Sequence, residues 1–181
     1  MVNRSSKHTR VVASFVLSAV MLTAAAVRAQ DPGEHILVTQ RDAVQAFDLV
    51  TGKGSQTGTA AGLISGTTFV EFQFTPTGPP AGDALPIAFK NKVIITDLDG
   101  DQIFFDNDGT GTFHLGIPGF DFRGSGGPLS GTYVVTGGTG KYQQWKVGTE
   151  FKYRAVATNP PTGGFGTVYV EVTFRGKVGQ R

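Results

Sequence analysis

The sequence predicts an all-β protein whose antiparallel sheet closes into a soluble barrel. After residue 29 the chain holds all 26 of its glycines and thirteen of its 14 phenylalanines. Such a composition, rich also in valine and threonine, is typical of short twisted strands joined by tight turns. Apolar and polar residues alternate clearly over 145–157 and 167–178, whereas no window shows an apolar stripe of helical period. Strands of this kind have one covered and one solvated face.

The N-terminal segment has the three parts of a secretory signal. A positive start, an apolar run and small residues at a cleavage site follow one another: Arg4, Lys7 and Arg10, then 11–26, then 27–29. The segment predicts a signal peptide over 1–29, cleaved after Ala29, and one barrel domain over 30–181. An uncleaved anchor helix is the alternative, but the chain becomes polar directly after Ala29. We expect export, to the periplasm or the extracellular space.

Cleavage would also reverse the sign of the net charge. Four of the 16 basic residues precede residue 30, and all 14 acidic residues follow it, so the mature chain carries 12 basic and 14 acidic residues, a balance of −2. No basic patch for nucleic acid or for an anionic membrane is expected after processing. The absence of cysteine excludes disulfides, a lipid-bearing cysteine and a thiol nucleophile.

The first half of the domain gives uneven strand signals. Two short strands are predicted at 36–39 and 44–50, and the Gly-, Ser- and Thr-rich stretch 51–66 predicts a mobile loop. Residues 67–74 alternate strictly, with Val70, Phe72 and Phe74 on one face and Glu71 on the other. The four prolines within 75–86 exclude a central strand there.

The second half begins with a hairpin. Segments 92–96 and 102–105 flank the turn sequence D-L-D-G-D at 97–101. A further turn at 106–109 is predicted to precede a strand at 110–115, and 116–128 is predicted to be a glycine-rich loop. The alternating segments at the C-terminus then supply the last strands.

Two closed arrangements satisfy these strands, a barrel or a two-sheet sandwich. Long strands joined in sequence favour an up-and-down barrel, which leaves no exposed edge. An outer-membrane barrel would place its apolar face outward. The polar faces carry several full charges each, more than a narrow lumen holds easily, so we expect the polar face outside.

Segment 131–148 combines an apolar run with a glycine-dense turn, T-G-G-T-G-K-Y at 136–142. This turn resembles the TGGTGKF or TGGSGIF turn of the dirigent proteins and allene oxide cyclases. The resemblance implies an eight-stranded antiparallel barrel that holds apolar ligands and often assembles as a homo-trimer. It also implies cyclisation of an oxygenated fatty acid or guidance of phenol radical coupling. The cyclases' functional cysteine has no counterpart here, so only the turn is carried over and no catalytic residue.

Aromatic residues on the apolar phase of the strands are the candidate ligand-binding set. They are Phe72, Phe74, Tyr133, Trp145, Phe151 and Tyr153. One interpretation is a barrel core filled by its own side chains. The other is a small apolar cavity in which two phenol hydroxyls and an indole N–H orient a ligand.

Candidates for catalysis and metal binding are sparse. Glu71 would act as an acid if its face lined the lumen, and His114 is a lone histidine without a partner motif. The aspartates of 97–108 lack the glycine and the closing glutamate of a calcium loop, and 138–141 lacks the rest of a phosphate-loop pattern. We therefore expect no metal and no cofactor.

These observations favour an exported barrel that binds a small apolar or aromatic molecule in its lumen. A cofactor-free cyclase or isomerase that acts by confinement is the first alternative, and a filled barrel serving as a structural or interaction module is the second. Whether the protein is an enzyme is left open by the sequence.

Overall fold

Eight strands form a closed antiparallel barrel in which each strand pairs with its sequence neighbours and the last pairs with the first. The computed structural model describes residues 34–48, 50–114, 126–158 and 166–175. The strands are β1 (Glu34–Asp48), β2 (Lys53–Gly62), β3 (Gly66–Pro76), β4 (Ala84–Asp97), β5 (Gln102–His114), β6 (Gly126–Gly138), β7 (Glu150–Thr158) and β8 (Thr167–Arg175). The predicted all-β, eight-stranded antiparallel barrel is confirmed. The signal peptide predicted over 1–29, and most of the loop predicted over 116–128, lie outside the described residues.

Strand β2 occupies the stretch for which a mobile loop was expected. It pairs with β1 on one side and with β3 on the other. Its inward positions are small or polar (Gly54, Gln56, Gly58 and Ala60), so the sequence shows no apolar alternation. The missing side chains make room for larger neighbours: a Cβ at Gly54 would meet the ring of Phe72, and one at Gly58 would meet the carboxylate of Asp42.

Strands β1 and β5 are each longer than their sequence signals. The two short strands expected in the first segment are one strand, with irregular register between Ile36 and Val38 and between Val44 and Ala46. Strand β5 runs through 106–109, where a turn was expected. Hydrogen bonding to a neighbour on both sides keeps these polar residues extended, which local sequence cannot report.

The connection between β6 and β7 differs from the expected continuous strand over 145–157. A short 3-10 helix, Gly140–Gln144, is followed by a turn in which Gly148 has a φ of 83°. Trp145 is buried against Tyr142 and Phe151, whereas Val147, two residues later, is 56% exposed. The alternation over 145–149 therefore belongs to a turn, and β7 begins at Glu150.

The glycine turn at 136–142 contacts the turn that connects β4 and β5, at the position where the sequence predicted a hairpin turn. Gly140 adopts a positive φ of 49°, and a Cβ there would collide with the carboxylate of Asp101. The Lys141 ammonium lies 2.6 Å from Asp97 Oδ2 and 3.0 Å from Asp99 Oδ2. This ammonium lowers the pKa of Asp97, and the two carboxylates raise the pKa of Lys141. Of the aspartates considered for calcium, Asp97 and Asp99 thus pair with the side chain of this lysine, and Asp101 accepts a hydrogen bond from its backbone N–H.

Inward side chains divide the barrel into two halves. At the end where the odd-numbered strands begin, large apolar residues are fully buried and form what we call the packed half: Leu37, Ile64, Ile95, Ile103, Phe105, Val135 and Val172. Where the odd-numbered strands finish, phenylalanines, valines, alanines and a glycine enclose a cavity, together with Leu129. Within the described ranges, no helix is long and apolar enough to cross a bilayer.

Candidate functional site: the barrel lumen

The cavity has a volume of about 190 Å³ and mostly aromatic walls. Five phenylalanines from four strands line it: Phe47, Phe72, Phe74, Phe89 and Phe113. Phe74 is the centre of this group, with its ring centroid 4.8 Å from Phe72 and 4.9 Å from Phe113. These rings remain partly accessible at the mouth, because Phe47, Phe74 and Phe113 are half-buried.

Small residues on the opposite side of the barrel leave the cavity open. Strand β7 presents Ala155 and Ala157 to the lumen, and Gly166 lies beside them. On β5, Gly109 lets the Tyr153 hydroxyl approach the strand, because a Cβ at that position would meet it. The large rings on β3 and β4 therefore share the cavity with alanines, valines and a glycine of β7, β8 and the segment between them rather than with further rings.

A polar layer separates the cavity from the packed half. Its members at the cavity floor are Asp42, Gln56, Asn91, Asn107, Tyr133 and Tyr153. Asp42 is 1% exposed and its Oδ1 accepts a short hydrogen bond from the Thr68 hydroxyl. The Tyr133 hydroxyl donates to Gln40 Oε1 at 2.9 Å.

Several polar atoms of this floor make no close hydrogen bond within the described residues, although the Asn107 side chain lies near enough to both phenol hydroxyls to lower their pKa. They are Asp42 Oδ2, Asn91 Oδ1, Asn107 Oδ1 and the Tyr153 hydroxyl, and all are inaccessible to solvent. Buried polar groups are normally hydrogen-bonded, and leaving one unsatisfied costs about 1–3 kcal/mol. The side chains that carry these atoms line the cavity, so they are the polar groups available to orient a molecule bound there.

Burial sets the protonation of the floor. It raises the pKa of Asp42 from 3.8 to about 6, against the opposing effect of the Thr68 hydrogen bond. Burial likewise raises the pKa of Tyr133 and of Tyr153 well above the usual range. The phenols are therefore neutral at physiological pH, whereas Asp42 changes charge close to it.

Asp42→Asn should stabilise the protein at alkaline pH. The folded state prefers the neutral carboxyl, so this contribution to stability is fully present below pH 3.8 and is lost as the pH rises through about 6. That rise in pKa corresponds to about 3 kcal/mol at pH 8, and asparagine, always neutral, avoids the loss. Urea unfolding at pH 4 and pH 8 should show the variant more stable at pH 8 only. Asp106→Asn, on the exposed face of β5, is the control; a gain that is equal at both pH values would contradict the assignment.

The six aromatic residues predicted to bind a ligand fall into two groups. Phe72, Phe74, Tyr133 and Tyr153 line the cavity. Trp145 and Phe151 are buried, 6.3 Å apart between ring centroids, but they belong to the packed half and are not part of the lining. The fluorescence of Trp145 therefore reports on the packed half rather than on the cavity.

The two candidate catalytic residues lie away from the cavity. Glu71 is on the exposed outer face of β3, opposite Lys92 in the register with β4. The condition under which it would act as a lumen acid is therefore not met. His114 ends β5, half-buried, with its Nδ1 3.5 Å from Asp83 Oδ2.

Sequence reasoning missed the polar floor, although a signal was present. Asn91 shares the inward phase of β4 with Phe89 and Val93, and Asn107 follows Ile103 and Phe105 in phase on β5. A polar residue on the apolar phase of a strand marks such a position. Asp42 gave no comparable signal, because its strand has irregular register and weak alternation.

Among the described residues, no group of three or more His, Cys, Asp or Glu side chains could hold a metal ion. Comparison of the chain with protein-family models, with curated proteins and with solved structures returned no match. The geometry of the lumen is therefore the basis on which a function is inferred.

Proposed function

We propose that the barrel binds a small apolar or aromatic molecule in its lumen, in the manner of the dirigent proteins and allene oxide cyclases that its glycine turn resembles. The observation that carries this proposal is an aromatic cavity above unpartnered polar atoms. Ligand sites combine the same two parts, apolar walls for affinity and a few convergent polar groups for orientation. A barrel serving only as a structural module would gain stability by filling this space and by pairing these atoms.

The size of the cavity limits the ligand. Apolar protein cavities of about 150 Å³ hold a benzene-sized molecule, so about 190 Å³ suits one aromatic ring with a short substituent. The half-buried phenylalanines at the mouth would let a longer apolar tail extend outward. The ring would lie among the phenylalanines and a polar substituent would point to Asp42.

Calorimetry and thermal unfolding with 2-phenylethanol test the proposal on the processed protein. We expect one site with a Kd of about 10–500 µM, an order of magnitude set by the small number of ligand atoms. Ligand at a hundred times its Kd should stabilise the fold by about 2.7 kcal/mol. 2-Cyclohexylethanol, which has the same spacer and hydroxyl but a non-planar ring, is the matched control and should bind more weakly if the aromatic walls select a planar ring. Absence of binding for a panel of ring compounds would favour the structural alternative.

A second candidate function is a cofactor-free isomerase or cyclase. Asp42 supports it, because a buried carboxyl with a pKa of about 6 beside a confined apolar space is suited to proton transfer. Turnover of a substrate held in the lumen would then be lost in Asp42→Asn while binding remained. Undiminished turnover in that variant would remove Asp42 from the mechanism.

Export and assembly into a homo-oligomer are proposed as well, from the N-terminal segment and from the family resemblance. The mature barrel would begin at Gln30 and act in the periplasm or outside the cell. A homo-trimer is proposed from the family resemblance alone.

A further inference from the structure

The carboxylate of Asp42 has no cationic partner in the described part of the chain. Its environment consists of the Thr68 hydroxyl, the backbone at Gly58 and the residues of the cavity floor. The nearest basic residue in sequence, Arg41, lies exposed on the outer face, with its guanidinium 5.8 Å from the Tyr169 ring. A buried charge is costly unless it is paired, so the lumen has a place for a positive charge.

The other polar groups of the floor offer both acceptors and donors. Asn91 Oδ1 and Asn107 Oδ1 are buried acceptors beside Asp42 Oδ2, whereas the neighbouring Gln40 Nε2 is a buried donor. The Tyr133 hydroxyl donates to Gln40 Oε1. Asp42 is the one group of the described lining that carries a full charge, so it determines the charge that a ligand should have. A primary ammonium would bring it a positive charge and three donors.

The walls also suit a cation. Phe72, Phe74 and Phe89 surround the space above the floor, and ring faces attract an ammonium within about 6 Å. No lysine, arginine or histidine belongs to the described lining, so nothing in it repels a positive charge. The aromatic walls and the missing counter-ion of Asp42 indicate the same ligand chemistry.

We propose that the ligand of the lumen is a small organic ammonium ion with an aromatic or apolar body, bound with its nitrogen against Asp42, Asn91 and Asn107. This inference rests on the proposed lumen binding and names its ligand class. The body would lie among the phenylalanines, and its single-ring size would follow from the cavity volume.

Three ligands of the same shape test the proposal: 2-phenylethylammonium, 2-phenylethanol and 3-phenylpropionate. Calorimetry at pH 8 should show the ammonium binding at least tenfold more tightly than the alcohol, and the carboxylate most weakly. In Asp42→Asn the preference for the ammonium over the alcohol should fall below threefold, with the alcohol's own Kd changed less than threefold. Glu71→Gln, which removes a carboxylate from the outer face, should leave the preference intact.

The pH dependence of the wild-type protein gives a second readout that requires no variant. The titratable groups of the described lining are Asp42 on β1, Tyr133 on β6 and Tyr153 on β7, while β2, β3, β4, β5 and β8 present uncharged residues. The phenols stay neutral, and an alkylammonium stays protonated up to about pH 10. Affinity for the ammonium should therefore be constant at pH 7–9 and fall several-fold by pH 5, whereas affinity for the alcohol should not fall.

The outcomes separate the two proposals. If the alcohol binds and the ammonium binds no more tightly, the ammonium inference is wrong and lumen binding stands. If no ligand binds, both are wrong. An ammonium preference that survives in Asp42→Asn, or that disappears in Glu71→Gln, would place the cation on the outer surface and would also overturn the inference.

Discussion

Replacing Phe105 with alanine should lower the free energy of unfolding by about 3–5 kcal/mol, the usual cost of removing a buried phenyl ring. Phe105 is 1% exposed in the packed half, with its ring centroid 5.5 Å from Tyr133 and 6.4 Å from Phe151. The cavity left behind cannot collapse easily, because β4 and β6 both pair with β5, with one irregularity in the β6 pairing between Phe104 and Phe105.

Phe104 provides a matched control for this experiment. It is the same residue type, one position earlier on β5, but it lies half-buried on the outer face opposite Ile94. Phe104→Ala should cost less than about 1.5 kcal/mol, since a partly exposed side chain loses less burial. Urea denaturation of both variants measures the difference. Equal losses would contradict the inward assignment of Phe105 and with it the register of β5.

Filling the cavity should abolish ligand binding without unfolding the barrel. Ala155 is 7% exposed and lines the cavity from β7, so Ala155→Phe would place a ring where the ligand is proposed to lie. We expect affinity for 2-phenylethanol to fall at least a hundredfold, or about 2.7 kcal/mol. The cost of overpacking, about 1–3 kcal/mol in general, should be partly offset because the ring enters existing space.

Val156→Phe is the corresponding outward substitution, at the next position of the same strand. Val156 is 47% exposed and faces away from the lumen, so this variant should bind like the wild type. Calorimetry with both variants, checked by their melting temperatures, distinguishes a lumen site from an external one. Unchanged binding in a folded Ala155→Phe protein would exclude the lumen as the binding site.

The polar floor links stability to the proposed function. A carboxylate buried without a counter-ion lowers the stability of the empty barrel, and Asp42→Asn is therefore expected to stabilise the barrel at alkaline pH. The same carboxylate is the group that would orient a ligand or transfer a proton. If Asp42→Asn both stabilises the fold and loses the binding preference, the position shows the trade-off between stability and function that is common at functional sites.

The fold class could be predicted from the sequence, because alternation is a local property. Val70, Phe72 and Phe74 share the inner face of β3, as their spacing predicts, and Phe151 and Tyr153 share that of β7 while Lys152 is exposed. The hairpin turn at 97–101 was also readable, since its Asp and Gly residues carry their own turn preference. Each of these signals is contained within a few neighbouring residues.

The full set of strands and the arrangement of the lumen depend on contacts between residues far apart in the sequence. Strand β2 is extended because β1 and β3 pair with it, although its own residues favour a loop. Trp145 and Tyr153 have the same apolar phase in the sequence, yet one lies in the packed half and the other at the cavity. The floor brings Asp42 of β1 together with Asn91 of β4 and Asn107 of β5. Strand β1 is adjacent to neither β4 nor β5 in the barrel. Barrel closure sets these distances, and no local pattern encodes them.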